Sequence, residues 1–257
     1  MAEMITFLGG DSRVGCSMLV HAAAEALTAQ KKKVLVIGAS GKFGDDFFQN
    51  REKKSVDDLR ANLISGNLEE EELREVLVKE KDYWILPDVR DPVAAAYYPE
   101  NCWDPLRHLT GDFDHVLFDA GSDVRLGTVI SALTMAEERY FVVTQQEKTV
   151  NRFRCASEKV LKPLGLTGKL VVNQYQKAAS LASSGEISRF TGYAVGGVIP
   201  FVNYGWQAEL EHCTLMGNGR YARGVRQLAA QFGREEGRTG RRKEKRRWIG
   251  NLISRNI

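Results

Sequence analysis

One stretch near the start of the chain constrains everything that follows. Ile5-Thr6-Phe7-Leu8 is an apolar run of strand length. Gly9-Gly10-Asp11-Ser12-Arg13-Val14-Gly15 has loop composition, and Cys16-Ser17-Met18-Leu19-Val20 opens a helical pattern. Strand, glycine-bearing loop and helix is the layout of a phosphate-binding loop. The spacing Gly10-x-x-x-x-Gly15-x-Ser17 fits G-x-x-x-x-G-K-[ST] except at one position. Where the motif has lysine, this chain has Cys16.

That exception divides the physics of the site. Backbone N–H groups at a helix N-terminus attract an anion without any side chain, and glycines let the backbone approach closely with positive φ. Gly10 and Gly15 keep that part, and Ser17 keeps a hydroxyl suited to Mg²⁺. The point charge that cradles the phosphates is missing. A charge-assisted hydrogen bond is worth about 1.5–3 kcal/mol, so its loss weakens nucleotide binding roughly ten- to a hundredfold.

The order of elements predicts the architecture. A helix over Ser17 to Gln30 and a strand over Val34 to Ile37 complete a βαβ unit, which implies parallel strands. Gly38 to Gly44 reads as loop. Further helical patterns are expected from Ser55, over Leu68 to Lys79, from Trp103, and over Leu126 to Met135, Thr149 to Leu161, Trp206 to His212 and Tyr221 to Phe232. Between them lie apolar strands at Tyr83 to Leu86, Phe113 to Phe118, Arg139 to Thr144, Lys169 to Asn173 and Ala194 to Ile199. The pattern is α/β: one doubly wound, mostly parallel sheet of seven strands with helices on both faces, spanning 1–232. Ligands in that architecture sit at the carboxyl ends of the strands, which places the loop after Leu8, the loop after Ile37, and Asp119 on one edge.

Composition excludes several classes. Hydrophobic residues make up 43% and charged residues 27%, as in a globular domain. No apolar run approaches the length of a membrane-spanning helix, and Glu3 at the start of a strand argues against a secretory signal. The four cysteines are scattered without metal-ligand spacing, which favours reduced thiols in a cytosol. Cys16, at a helix N-terminus, is expected to have a lowered thiol pKa, and is either a redox group or a small buried cap residue.

Charge is uneven. From Arg234 onward nine Lys/Arg face three Glu, so the tail carries +6 and the preceding residues −3, against a total of +3. The basic run Arg241 to Arg247 leads into Trp248, Ile249, Leu252 and Ile253, which share one helical stripe. A basic segment beside an apolar face with tryptophan describes an interfacial membrane helix, here Arg246, Arg247, Trp248, Ile249, Leu252 and Ile253. A disordered basic tail that touches nucleic acid, or a protein-binding tail, is the alternative. Residues 233–257 therefore form a separate basic linker and amphipathic tail.

With the loop, Asp119 and the later strands in order, the chain resembles the MinD/ParA superfamily of P-loop ATPases. Those proteins open with K-G-G-x-G-K-[ST]. Here a Walker-B-like strand ends in Asp119, Arg139 to Thr144 resembles the strand after switch II, Leu170-Val171-Val172-Asn173-Gln174 resembles the strand whose Asn contacts adenine, and Gly197-Val198-Ile199-Pro200 resembles the strand before the last nucleotide loop. Within the superfamily, Tyr83-Trp84-Ile85-Leu86-Pro87 is similar to the third strand of the Tad/Flp pilus-assembly localisation proteins. The resemblance implies ATP and Mg²⁺ held by Gly10, Asp11, Ser12, Arg13, Val14, Gly15, Cys16, Ser17, Met18, Asp119 and Asn173, with Ser17 and Asp119 on the metal. It also implies a homodimer, a partner in pilus or secretion machinery, and a place at the inner face of the membrane.

The departures point to a degenerate ATP site. The signature lysine aligns at Asp11, so that charge is reversed. The glycines after it become Ser12 and Arg13, and the acidic pair expected after the second strand aligns at Gly38 and Ser40. Phosphoryl transfer depends on positioning and charge stabilisation, so a pseudo-ATPase scaffold with weak or absent nucleotide binding is the first reading. A divergent ATPase that uses Arg13 as its cation is the second, and a nucleic-acid-associated partition protein the third. Lys42, in the loop after the second strand, is either a phosphate contact or a solvated lysine.

Overall fold

The computed structural model describes residues 1–42, 54–178 and 180–233. The tail residues Arg246, Arg247, Trp248, Ile249, Leu252 and Ile253 lie outside the described residues.

The chain begins β1 (Glu3–Gly9), α1 (Cys16–Thr28) and β2 (Val34–Gly38). It continues α2 (Arg60–Ser65), α3 (Glu70–Val76), β3 (Val78–Glu80), β4 (Tyr83–Leu86), α4 (Leu106–Leu109), β5 (His115–Asp119), α5 (Gly127–Met135) and β6 (Glu138–Val143). Then follow α6 (Glu147–Ala156), β7 (Lys169–Tyr175), α7 (Ser184–Thr191), β8 (Val195–Pro200), α8 (Gly205–Leu210) and α9 (Gly219–Ala229). The strands form one sheet in the order β3-β4-β2-β5-β1-β6-β7-β8. Every pairing is parallel except β3 with β4. The doubly wound, mostly parallel α/β sheet expected from the sequence is the observed architecture.

One helix is shorter than its periodicity suggested. Leu68 to Lys79 reads as helix, but α3 stops at Val76 and the next residues form the antiparallel edge strand β3. Glu80 pairs with Tyr83, leaving Lys81-Asp82 as a two-residue turn. Lys81 takes φ +50° there, the conformation that tight hairpin turns require. The sheet therefore has eight strands rather than seven among the described residues.

Alternation along the strands sends successive side chains to opposite layers. Ile5, Phe7, Val36, Leu117, Val142 and Val171 pack under α1 and α9. Met4, Leu35, Ile37, Val116 and Phe118 face the other layer, with Leu63, Leu73 and Met135 of α2, α3 and α5. Leu8, Phe141, Val143 and Val172 extend that layer beneath α5, α6 and α7. Both faces are covered, as a parallel sheet demands. Its central strand β1 has β5 on one side and β6 on the other, so the loop after β1 emerges where the strand order reverses.

Candidate functional site

The loop after β1 is fixed by contacts from three neighbouring strands. Gly9 N–H donates to Gly121 O at 2.6 Å, and Gly10 N–H to Val142 O at 2.8 Å. A Cβ at Gly10 would come within 2.8 Å of Phe153. Gly15 enters α1 at φ +78°, where a Cβ would stand 2.6 Å from Asn173 Nδ2. That amide donates to Val14 O at 2.8 Å and lies 3.4 Å from Gly15 O. Asn173, buried at 3% exposure, thus ties β7 to the phosphate-loop backbone. Gln174 Nε2 adds a longer contact, 3.4 Å, to Arg13 O. Arg13 is exposed and takes φ +61°.

The mouth of α1 suits an anion. No side chain caps the helix, and its first turn contains no acidic residue. The first N–H groups of a helix have no intrahelical acceptor, so they face the loop's concavity with the positive end of the helix dipole. A cavity of about 800 Å³ opens there, within the range of small-molecule clefts. The whole predicted loop from Asp11 to Met18 lines it, together with Ser40, Lys42, Ser122, Asn173 and Gln174. Its far wall is Pro200 to Asn203, Trp206 and Tyr221. Tyr221 is buried, and its hydroxyl has no hydrogen-bond partner among the described residues. An uncapped helix start, a cleft with a polar loop facing an apolar wall, and an orphaned hydroxyl fit a nucleotide.

Position 16 is a neutral group against a carboxylate. Burial pushes the Cys16 thiol well above its ordinary pKa, and the charge of Asp119, to which it is hydrogen-bonded, pushes it further. The lowered thiol pKa expected from the helix N-terminus is therefore corrected: desolvation and a neighbouring anion outweigh the dipole. Asp119 is 8% exposed. Burial raises its pKa, partly offset by hydrogen bonds from Ser17, the Gly121 N–H and Cys16, and by the charge of Lys42. Ser17, hydrogen-bonded to Asp119, and Asp119 would be the residues to hold a phosphate-bound Mg²⁺. The ion would neutralise phosphate charge. No cluster of three or more metal-ligating side chains occurs among the described residues, so phosphate and water oxygens would complete its shell.

Asp11, where the resemblance places a lysine, is paired with Arg152 of α6 at 2.5 Å. Partial burial raises its pKa, but the Arg152 hydrogen bond, the Ser12 N–H and the charges of Arg152 and Lys148 outweigh it and hold the carboxyl below its usual range. The reversed charge is thus neutralised locally.

Asp88 escaped the sequence reading. It follows β4 and the Leu86-Pro87 pair, 5% exposed. It accepts hydrogen bonds from Ser40 N and Oγ, both at 2.7 Å, from Gly41 N at 3.1 Å and from Val89 N at 2.8 Å. Burial pushes its pKa up to about 6, with a further push from Asp119 and a counter-pull from Ser40 and Val89. The signal available was a carboxylate directly after an apolar strand, on the edge where ligands bind.

No protein-family model and no curated protein matches the chain. Solved structures do. The septum site-determining protein MinD of Pyrococcus horikoshii, solved with Mg-ADP, superposes with TM-score 0.75 at 16% identity, over 91% of this chain and 97% of that one. MinD of Aquifex aeolicus gives 0.75 at 20% identity, over 92% and 98%. A ParA family ATPase of Chlorobium tepidum gives 0.73 at 16% identity, over 89% and 98%. At these identities the likeness establishes the fold: the chain is built as MinD and ParA ATPases are.

Proposed function

We propose that this protein is a nucleotide-responsive scaffold on a MinD/ParA-type fold. It binds Mg-ATP weakly, turns it over poorly, and positions a partner assembly at a membrane surface. The observation that carries the reading is the Cys16–Asp119 pair: a buried neutral thiol stands where the motif puts a phosphate-gripping lysine. Catalysis of phosphoryl transfer is mostly electrostatic. The retained backbone of the loop supports binding, and the missing lysine and the absence of a carboxylate at Gly38 and Ser40 argue against turnover. The P. horikoshii neighbour's Mg-ADP supports the choice of nucleotide. An A. aeolicus neighbour solved as a MinC:MinD complex supports a protein partner.

Calorimetric titration with Mg-ATP, paired with a phosphate-release assay, tests this. Dissociation constants well above the micromolar range with negligible turnover are expected. Micromolar binding with steady turnover would establish instead the divergent ATPase that uses Arg13.

The membrane arm of the reading rests on the tail sequence, with about 1 kcal/mol per basic residue near an anionic surface and avidity from dimerisation. The pilus or secretion partner rests on the likeness of Tyr83 to Pro87 to pilus-localisation proteins. Co-sedimentation with anionic liposomes is expected for the full chain and not for a chain ending at Phe232. Equal pelleting of both would remove the tail from the account, and retention on DNA without pelleting would favour the partition reading.

A further inference from the structure

The loop after β2 is held more firmly than a solvent loop needs to be. Asp88 takes both N–H groups of Ser40 and Gly41 and the Ser40 hydroxyl. Gly41 turns at φ +69°, and a Cβ there would come within 2.5 Å of Leu126 and 3.1 Å of Ala95. From the other side Gly121 packs so closely that its Cβ would stand 2.5 Å from Ser40 Cβ. The backbone leading into Lys42 is thus clamped by the segments that follow β4 and β5. Beneath it, a Cβ at Gly38 would lie 2.5 Å from Asp88 N. Position 38, where the resemblance expects an acidic residue, has no room for a side chain because Asp88 occupies the space.

The clamp has a product. Lys42 lines the same cavity as Cys16, Ser17 and Ser122, and its charge acts on both Cys16 and Asp119. Lys42 thus follows a fixed backbone and lines the cleft whose α1 end lacks a cation.

We propose that Lys42 is the phosphate-binding cation of this site, delivered from the loop after β2 in place of a lysine at position 16, with Asp88 as the residue that positions it. This rests on the nucleotide reading above. Position 16 is buried against Asp119, whereas Lys42 is exposed and lines the cleft. A flexible four-carbon stem gives its ammonium reach.

The test is calorimetry on the full chain with two probes, Mg-ATP and adenosine, for the wild type, Lys42→Ala and Lys42→Arg, with circular dichroism to confirm folding. Lys42→Ala is expected to weaken Mg-ATP roughly ten- to a hundredfold while leaving adenosine unchanged, and Lys42→Arg to stay close to wild type. If wild type binds Mg-ATP and Lys42→Ala binds it equally well, the assignment of Lys42 falls and the nucleotide reading stands. Parallel loss of adenosine would make the effect structural and also overturn the assignment. If wild type binds neither probe, both fall together.

Discussion

The Asp88 carboxylate receives the backbone N–H and the hydroxyl of Ser40 through one oxygen, both at 2.7 Å. That single relationship joins β4 to the loop after β2 across the binding edge of the sheet. It also gives the site a titration that can be measured.

Asp88 has a folded-state pKa of about 6, against about 3.9 for an unperturbed aspartate. Between those values the folded protein binds more protons than the unfolded one, so Asp88's contribution to stability falls as pH rises from 4 to 6. The expected amplitude is about 3 kcal/mol. His21 runs the other way. Burial lowers its pKa to about 4, helped by the charge of Lys81, and its Nδ1 lies 3.0 Å from the Tyr83 hydroxyl. Folding keeps it neutral, so its contribution rises with pH between 4 and about 6.5. The two slopes oppose. Urea unfolding at several pH values should show Asp88→Asn gaining stability relative to wild type as pH rises from 4 to 6. A pH-independent difference would mean that Asp88 is not protonated near pH 6.

The Gly15–Asn173 contact predicts a coupling. Gly15→Ala places a Cβ 2.6 Å from Asn173 Nδ2 at φ +78°, so it carries both a clash and αL strain. The αL cost alone is about 1–2 kcal/mol. Asn173→Ala removes the clash but also the bond to Val14 O, worth about 1 kcal/mol. Gly15→Ala should therefore cost less in the Asn173→Ala background than in wild type. A double-mutant cycle by denaturant unfolding measures the difference, and strict additivity would contradict the contact.

Thiol labelling checks the corrected view of Cys16. Cys155 is exposed, while Cys16 and Cys102 are buried. Burial raises both buried thiols, Cys102 to about 12, so little thiolate is present to react. Iodoacetamide followed by peptide mass spectrometry should modify Cys155 first and Cys16 only on unfolding. Rapid labelling of native Cys16 would restore the activated thiol that its sequence position suggested.

What the sequence disclosed, and what it hid, follow one physical division. The strand–loop–helix at Phe7 to Val20 and the apolar runs of the parallel strands are local patterns, and they led directly to the doubly wound sheet. Leu68 to Lys79 misled because Leu73, Val76 and Leu77 keep helical spacing to the very end of α3, and the deciding feature was a left-handed turn at Lys81. Asp88, and Arg152 as the partner of Asp11, were invisible for a different reason. Each matters through a neighbour far away in sequence, brought close by a strand order in which β4 flanks β2 and α6 follows β6. The buried place of Cys16 was among the expectations, but its pKa was misjudged because a helix N-terminus is legible in sequence, whereas the hydrogen bond to Asp119 is not.

Restoring the expected acid at position 38 makes the sharpest test of how Asp88 and Gly38 fit together. Gly38→Asp would drive a Cβ to 2.5 Å from Asp88 N and 2.6 Å from Asp88 Cβ, so backbone must move and the cost should reach about 3 kcal/mol, the upper end of the usual range for overpacking. Changing Asp88→Gly alongside it removes the side-chain part of the clash and leaves the backbone part. Thermal unfolding should place Gly38→Asp below wild type, and Asp88→Gly should not rescue it, because the approach to Asp88 N remains and the hydrogen bonds to Ser40 and Gly41 are lost. If Gly38→Asp melts with wild type, the space at position 38 is open, and the acidic residue's absence there owes nothing to Asp88.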